Sequence, residues 1–165
     1  MSRPTKSSKL SHVDERGRVR MVDVAAKPET EREAVAEASV RMSAEAVRAI
    51  RSQSVKKGDP LQTARLAGIL AAKRTADLIP LCHQLPLTHI DVELRPARRG
   101  RGYDIRARVG TKARTGVEME ALVAVTVAAL TVYDMLKAVD RSIVIGPVRL
   151  LEKRGGRSGH YRRKR

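Results

Sequence analysis

The segment from Met119 to about Val139 is the longest apolar, helix-periodic stretch in the chain, and it follows the start signal Thr115-Gly116-Val117-Glu118. A helix that apolar must be buried along most of its length, so the rest of the chain has to supply a surface to cover it. Phe and Trp are absent and Tyr103, Tyr133 and Tyr161 are the aromatic residues, so Leu, Val, Ile, Met and Ala must fill the core. Small side chains of this kind require close approach of backbones. With 165 residues there is room for one such core.

The remaining patterns are shorter. Ala34 to Met42 roughly alternates and reads as a strand, after which Ser43 caps a short helix through about Arg51. Lys57-Gly58-Asp59-Pro60 starts a second helix, to about Thr75, with Asp59 as cap, Pro60 in the first turn and Gln62 completing a capping-box-like pattern. Leu61, Ala64, Leu66, Ala67, Ile69, Leu70 and Ala71 cover more than half its circumference, which predicts a largely buried helix. Leu85 to Arg95 and Tyr103 to Val109 alternate on either side of Gly100-Arg101-Gly102 and predict a hairpin. Ser142 to Leu151 holds a β-branched run around Gly146-Pro147, consistent with a bulged or edge strand. The order β-α-α-β-β-α-β predicts an α+β fold, a ferredoxin-like antiparallel sheet with helices packed on one face. Residues 1–20 are expected to be a disordered N-terminal segment, 21–159 a single catalytic domain and 160–165 a basic C-terminal tail.

The formal charge of +16, from 34 basic and 18 acidic residues, admits nucleic acid, anionic membranes and phosphorylated small molecules as partners. A nucleic-acid binder normally offers stacking aromatics, and Tyr161 alone lies in the basic end, so a specific nucleic-acid partner is not expected. With one cysteine, Cys82, no intrachain disulfide can form, which fits a reducing cytoplasm. No signal-peptide core and no uninterrupted run of ~18 apolar residues is present, so no membrane partner is expected. Walker loops, dinucleotide fingerprints, His-x-x-x-His zinc motifs and nucleophile elbows are missing.

Several polar residues have both a structural and a chemical reading. His83 leaves the second helix in a loop, where it serves either as a catalytic group or as a structural imidazole bonded to a carbonyl. Glu118 is accounted for by helix capping, whereas Glu120 is not; two residues apart is ~200° of rotation, so both face one pocket only if the pocket wraps the helix end. Asp134 and Lys137 form an i,i+3 pair, either a surface ion pair or functional groups near Tyr133, Met135 and Leu136. Glu120 and Asp134 are fourteen residues apart, ~21 Å along a straight helix. If both serve one active site, it lies between subunits.

Met21-Val22-Asp23-Val24, Lys57-Gly58-Asp59, Ala71-Ala72-Lys73-Arg74-Thr75, Asp77-Leu78-Ile79-Pro80-Leu81-Cys82-His83, Thr115-Gly116-Val117-Glu118-Met119-Glu120-Ala121-Leu122, Tyr133-Asp134-Met135, Lys137-Ala138-Val139 and Ile145-Gly146-Pro147-Val148-Arg149-Leu150-Leu151 stand in the same order as in a known family. Over roughly Met21 to Gly159 the chain resembles the cyclic pyranopterin monophosphate synthases, the MoaC proteins of molybdenum cofactor biosynthesis. The resemblance implies conversion of (8S)-3′,8-cyclo-7,8-dihydroguanosine 5′-triphosphate to cyclic pyranopterin monophosphate and diphosphate, a phosphorus–oxygen lyase reaction. It implies no cofactor or metal, a cytoplasmic homohexamer built as a trimer of dimers, and active sites at subunit interfaces. It assigns catalysis to Asp134, Lys137 and Lys57, and substrate binding to Leu81, Cys82, His83, Met119, Glu120, Glu118, Arg32 and Lys153. The chain departs from the family pattern at Gln84, Arg114, Arg154 and Arg157; an arginine preserves phosphate affinity but cannot replace a lysine that must release a proton.

Overall fold

The computed structural model describes residues 16–98, 100–156 and 159–164; most of the segment expected to be disordered, and Arg157, lie outside the described residues. Strand β1 spans Thr30–Arg41, followed by helices α1 (Ala44–Arg51), α2 (Pro60–Lys73) and the one-turn α3 (Thr75–Leu78). Strands β2 (Leu87–Pro96) and β3 (Gly102–Ala113) form the hairpin, α4 runs over Glu118–Leu136, and β4 (Val144–Ile145), β5 (Arg149–Arg154) and β6 (Tyr161–Arg162) complete the chain. The sheet order is β2-β3-β1-β5-β6 with β4 beside β1, and every pairing is antiparallel. Without the two-residue strands this is the split βαβ arrangement expected from the sequence: an α+β fold with helices packed on one face.

Alternation along the two longest strands creates the layers. In β1, Ala34, Ala36, Ala38 and Val40 are buried, and in β3 Tyr103, Ile105, Ala107 and Val109 are buried with them. These residues join Ala121, Ala124, Val125, Ala128, Val132 and Leu136 of α4 in one apolar cluster. The opposite sheet face accounts for part of the positive charge. Arg106 and Arg149 meet Glu37, Arg108 meets Glu33, and Arg41 meets Asp104. These cations are answered across the strands by carboxylates.

The predicted caps of the first two helices form. Ser43 accepts from the Ala46 amide, and Asp59 accepts from Leu61 and Gln62 at 2.8 and 3.2 Å. The start of α4 differs: Val117 occupies the cap position without a side-chain bond, and Glu118 turns away to an ion pair. The burial expected of α2 also needs correction. Its contact face is made of Pro60, Ala64, Gly68, Ala71 and Ala72, while Leu66 and Leu70 are 58% and 47% exposed. Small residues draw α2 onto α4, so the leucines project outward. A Cβ on Gly68 would stand 2.9 Å from the Ala124 carbonyl oxygen.

By length and composition α4 could cross a membrane, yet much of it is buried against the sheet as a core helix. Residues 160–165, read as a tail, include the short exposed strand β6, whose Tyr161 pairs with Lys153 and Arg162 with Glu152.

Candidate active site

The polypeptide between α3 and β2 brings three expected residues to the head of α4. Thr75 is buried and donates its hydroxyl to the Ala72 carbonyl at 3.1 Å, and the Cys82 amide closes a turn on Ile79 at 3.0 Å. Leu81, Cys82 and His83 thereby line a cleft of about 430 Å³ together with Glu118, Met119, Glu120, Val22, Val24 and Lys27. The cleft wraps the helix end, so both glutamates reach it despite their rotation about the axis. His83 has no carbonyl partner among the described residues.

A second cleft of about 470 Å³ adjoins the first, sharing Lys27, Thr115, Gly116 and Glu118. Its other lining includes Arg32, Arg114, Lys153 and Arg154. Lys153 Nζ lies 2.7 Å from Glu118 Oε1. Gly116 makes room for the Glu118 carboxylate, which a Cβ there would strike. At the far wall Gly155 and Gly156 have φ of +92° and +73°, and the Arg32 guanidinium occupies the space a Gly156 side chain would need. These glycines therefore hold an arginine against the cleft. Arg32 Nε and Thr30 Oγ1 are buried without a hydrogen-bond partner.

The electrostatics divide the two glutamates. Glu118 faces Lys153. Glu120 is only 4% exposed, and its carboxyl is pushed up from 4.5 to about 7, chiefly by burial, which outweighs the opposing hydrogen bond from its own backbone amide and is joined by a smaller contribution from the charge of Glu118. A group with that affinity gives or takes a proton near neutral pH. The Cys82 thiol is raised by burial and then by Glu120, so it is a poor nucleophile. The first cleft suits proton transfer; the second, with its five cations, suits phosphate.

Lys57, Asp134 and Lys137 come together elsewhere, at the opposite end of α4. Lys57 Nζ donates to the Asp134 carbonyl and carboxylate at 2.8 and 2.9 Å, and Lys137 lies 2.8 Å from the other carboxylate oxygen. The bond from Lys137, then that from Lys57, holds Asp134 down at about 2, and Asp134 raises Lys137. At neutral pH this cluster is a carboxylate clasped by two ammonium groups. Lys137 thus carries its proton at neutral pH and cannot accept one. All three side chains are about half-exposed.

Sequence reasoning did not single out Lys27 and Thr30 as cleft residues, and it noted Arg114 only as a departure. Lys27 precedes β1 and Thr30 opens it, where the sequence lacks periodicity, which hid the two before the structure placed them. Among the described residues no group of three His, Cys, Asp or Glu side chains is placed to hold a metal ion.

Comparison with known proteins matches residues 21–156 to the MoaC family. The chain is 59% identical over 156 residues to the cyclic pyranopterin monophosphate synthase of Thermomicrobium roseum, covering 94% of each chain. It is 56% identical over 155 residues to the protein of that name from Brucella ovis, again with 94% of each covered. The Nostoc sp. protein of that name is 55% identical over 158 residues, 96% of this chain and 94% of the relative.

Proposed function

The chain belongs to the MoaC family, and on that premise we propose that it converts (8S)-3′,8-cyclo-7,8-dihydroguanosine 5′-triphosphate to cyclic pyranopterin monophosphate and diphosphate in the cytoplasm. The observation that carries this reading is the pair of adjoining clefts, one with a carboxyl titrating near neutrality and one lined by cations. The substrate has the same two halves: a guanine-derived ring system that must be opened and reclosed through proton transfers, and a triphosphate.

In this reading Leu81, Cys82, His83, Met119 and Glu120 hold the ring system, with His83 and Glu120 moving protons at its nitrogens and oxygens. Arg32 and Lys153 bind the phosphate chain, and Glu118 orients Lys153 through their ion pair. Closing the cyclic phosphate means attack of a sugar hydroxyl on the innermost phosphorus and departure of diphosphate. The hydroxyl loses its proton, and the negative charge growing on the leaving group is stabilised by nearby cations.

Asp134, Lys137 and Lys57 complete the site from a neighbouring subunit. Asp134 shares α4 with Glu120, and their fourteen-residue interval puts ~21 Å between the two clusters within one chain. A homohexamer, a trimer of dimers, supplies the second chain. The half-exposed Leu66, Leu70 and Leu130 favour burial against such a neighbour. Lys57 and Lys137 then act as ammonium groups, the former stabilising charge and the latter donating a proton, with Asp134 fixing both.

Supplying the cyclic triphosphate and measuring diphosphate and pterin product tests the activity. Turnover is expected, and its absence from well-folded protein would overturn the assignment. Lys57→Ala or Asp134→Asn with full turnover would remove that residue from the catalytic set.

A further inference from the structure

The residues before β1 cross the place where the two clefts meet. Val22 and Val24 line the first cleft, Pro28 lines the second, and Lys27 lines both. Within this strap Asp23 accepts from the Ala25 amide at 2.8 Å, and the Lys27 amide closes a turn on Val24 at 3.0 Å. Arg114, just beyond β3, fastens it to the body. Its guanidinium donates to the Ala25 carbonyl at 2.9 Å and lies 3.8 Å from Glu29, while its own carbonyl accepts from Arg32 at 3.4 Å. One residue therefore touches both ends of the turn that carries Lys27 and also the arginine on the far wall of the cleft. The Lys27 ammonium makes no ion pair among the described residues, although the clefts it lines contain Glu118 and Glu33.

We propose that Lys27 binds the substrate's phosphate chain at the junction of the two clefts, and that Arg114 is the positioning residue that holds the strap, and so Lys27, in place. This rests on the reading of the cationic cleft as the triphosphate site. A cation at the junction meets the phosphate nearest the ring system, where the new phosphate ester forms. Guanidinium chemistry suits the fastening role, because a planar fork can engage a carbonyl and a carboxylate at once. An ammonium at position 114, a point charge on a flexible stem, would hold these two contacts less rigidly.

The experiment uses the full chain and two readouts that fail independently: calorimetric affinity for inorganic tripolyphosphate, which needs no turnover, and steady-state kinetics on the cyclic triphosphate. Lys27→Met is expected to weaken tripolyphosphate binding and raise KM by about tenfold, the scale of one charge-assisted hydrogen bond, with a much smaller effect on kcat. Hydrogen exchange at the Ala25 and Lys27 amides should stay as in the unaltered protein. Arg114→Ala should produce the same rise in KM but with faster exchange at those two amides, and Arg114→Lys should recover part of both. Glu29→Gln should accelerate exchange less than Arg114→Ala.

Unchanged tripolyphosphate affinity in Lys27→Met would overturn the phosphate contact. Weakened binding in Arg114→Ala with unchanged exchange would overturn the strap, making Arg114 a direct ligand instead. Tripolyphosphate binding that depends on Lys27, in a protein without turnover, would sustain this inference while sinking the proposed reaction.

Discussion

A carboxyl group that is 4% exposed in the first turn of a helix is subject to opposing influences. The helix amides favour its anion, and removal from water favours its acid; for Glu120 burial wins, and the group sits at about 7. The consequence for stability follows from proton counting. Between about pH 4.5 and 7 the folded chain holds a proton at this site that the unfolded chain has released. Stability from Glu120 is therefore complete below its unfolded value and is lost as pH rises through 7. Relative to Glu120→Gln, the unaltered protein should lose on the order of 3 kcal/mol across that window, read from urea unfolding at several pH values. A difference that does not vary with pH would refute the raised carboxyl. Asp140 has the opposite sign. It is buried and accepts from the Ser142 hydroxyl and amide at 2.6 and 2.8 Å and from the Ser43 amide at 2.7 Å, and these bonds, Ser142's first, hold it at about 2. Its contribution is present above 3.8 and is lost as pH falls toward 2. Asp140→Ala should cost about 1–3 kcal/mol at neutral pH, because three donors lose their acceptor. Neither behaviour was legible in the sequence, where Glu120 had no capping role and Asp140 was one more charge after a helix. Burial and partners from distant segments decide both.

The elements were legible where local chemistry determines them. Asp59-Pro60 and Ser43 start their helices as the capping rules require, and strict alternation in Tyr103 to Val109 makes a strand with one buried face. Burial along α2 was not legible, because counting apolar residues treats leucine as more buried than alanine. A sheet and helix built without Phe or Trp leave a shallow gap over α4, and the side of α2 that fits it carries Ala64, Gly68, Ala71 and Ala72. Gly68 is the test of that closeness. Its added Cβ would lie 2.9 Å from Ala124 O and 3.3 Å from Ala128 Cβ, so Gly68→Val should destabilise the fold by about 1–3 kcal/mol, despite valine's better helix propensity than glycine. The urea midpoint measures it, and a neutral or stabilising result would mean that α2 rides farther from α4. The same contact orients the cationic end of the molecule. With α2 held against α4, the Gly58 turn before α2 carries Lys57 to Asp134.

At the scale of the whole molecule, the high positive charge has a partial structural explanation. Arginines on the open sheet face are matched by Glu33, Glu37 and Asp104, whereas those of the second cleft converge on space fit for phosphate. The fold was readable from element order, and the two halves of the candidate site from their residue types; what no single-chain reading could join is the α4 head to the α4 end. The proposed hexamer joins them, and subunit mixing provides a direct test. Glu120→Gln alone and Asp134→Asn alone should each be nearly inactive, while sedimentation should show both assembled as hexamers. If each site takes Glu120 from one subunit and Asp134 from another, random co-assembly of equal amounts leaves roughly a quarter of sites with both native groups. Mixing after reversible dissociation should therefore restore activity to about that fraction of the unaltered enzyme's rate. Mixed hexamers with no recovered activity would place both residues' functions within one chain, and the ~21 Å between them would then have to be closed by a bend in α4.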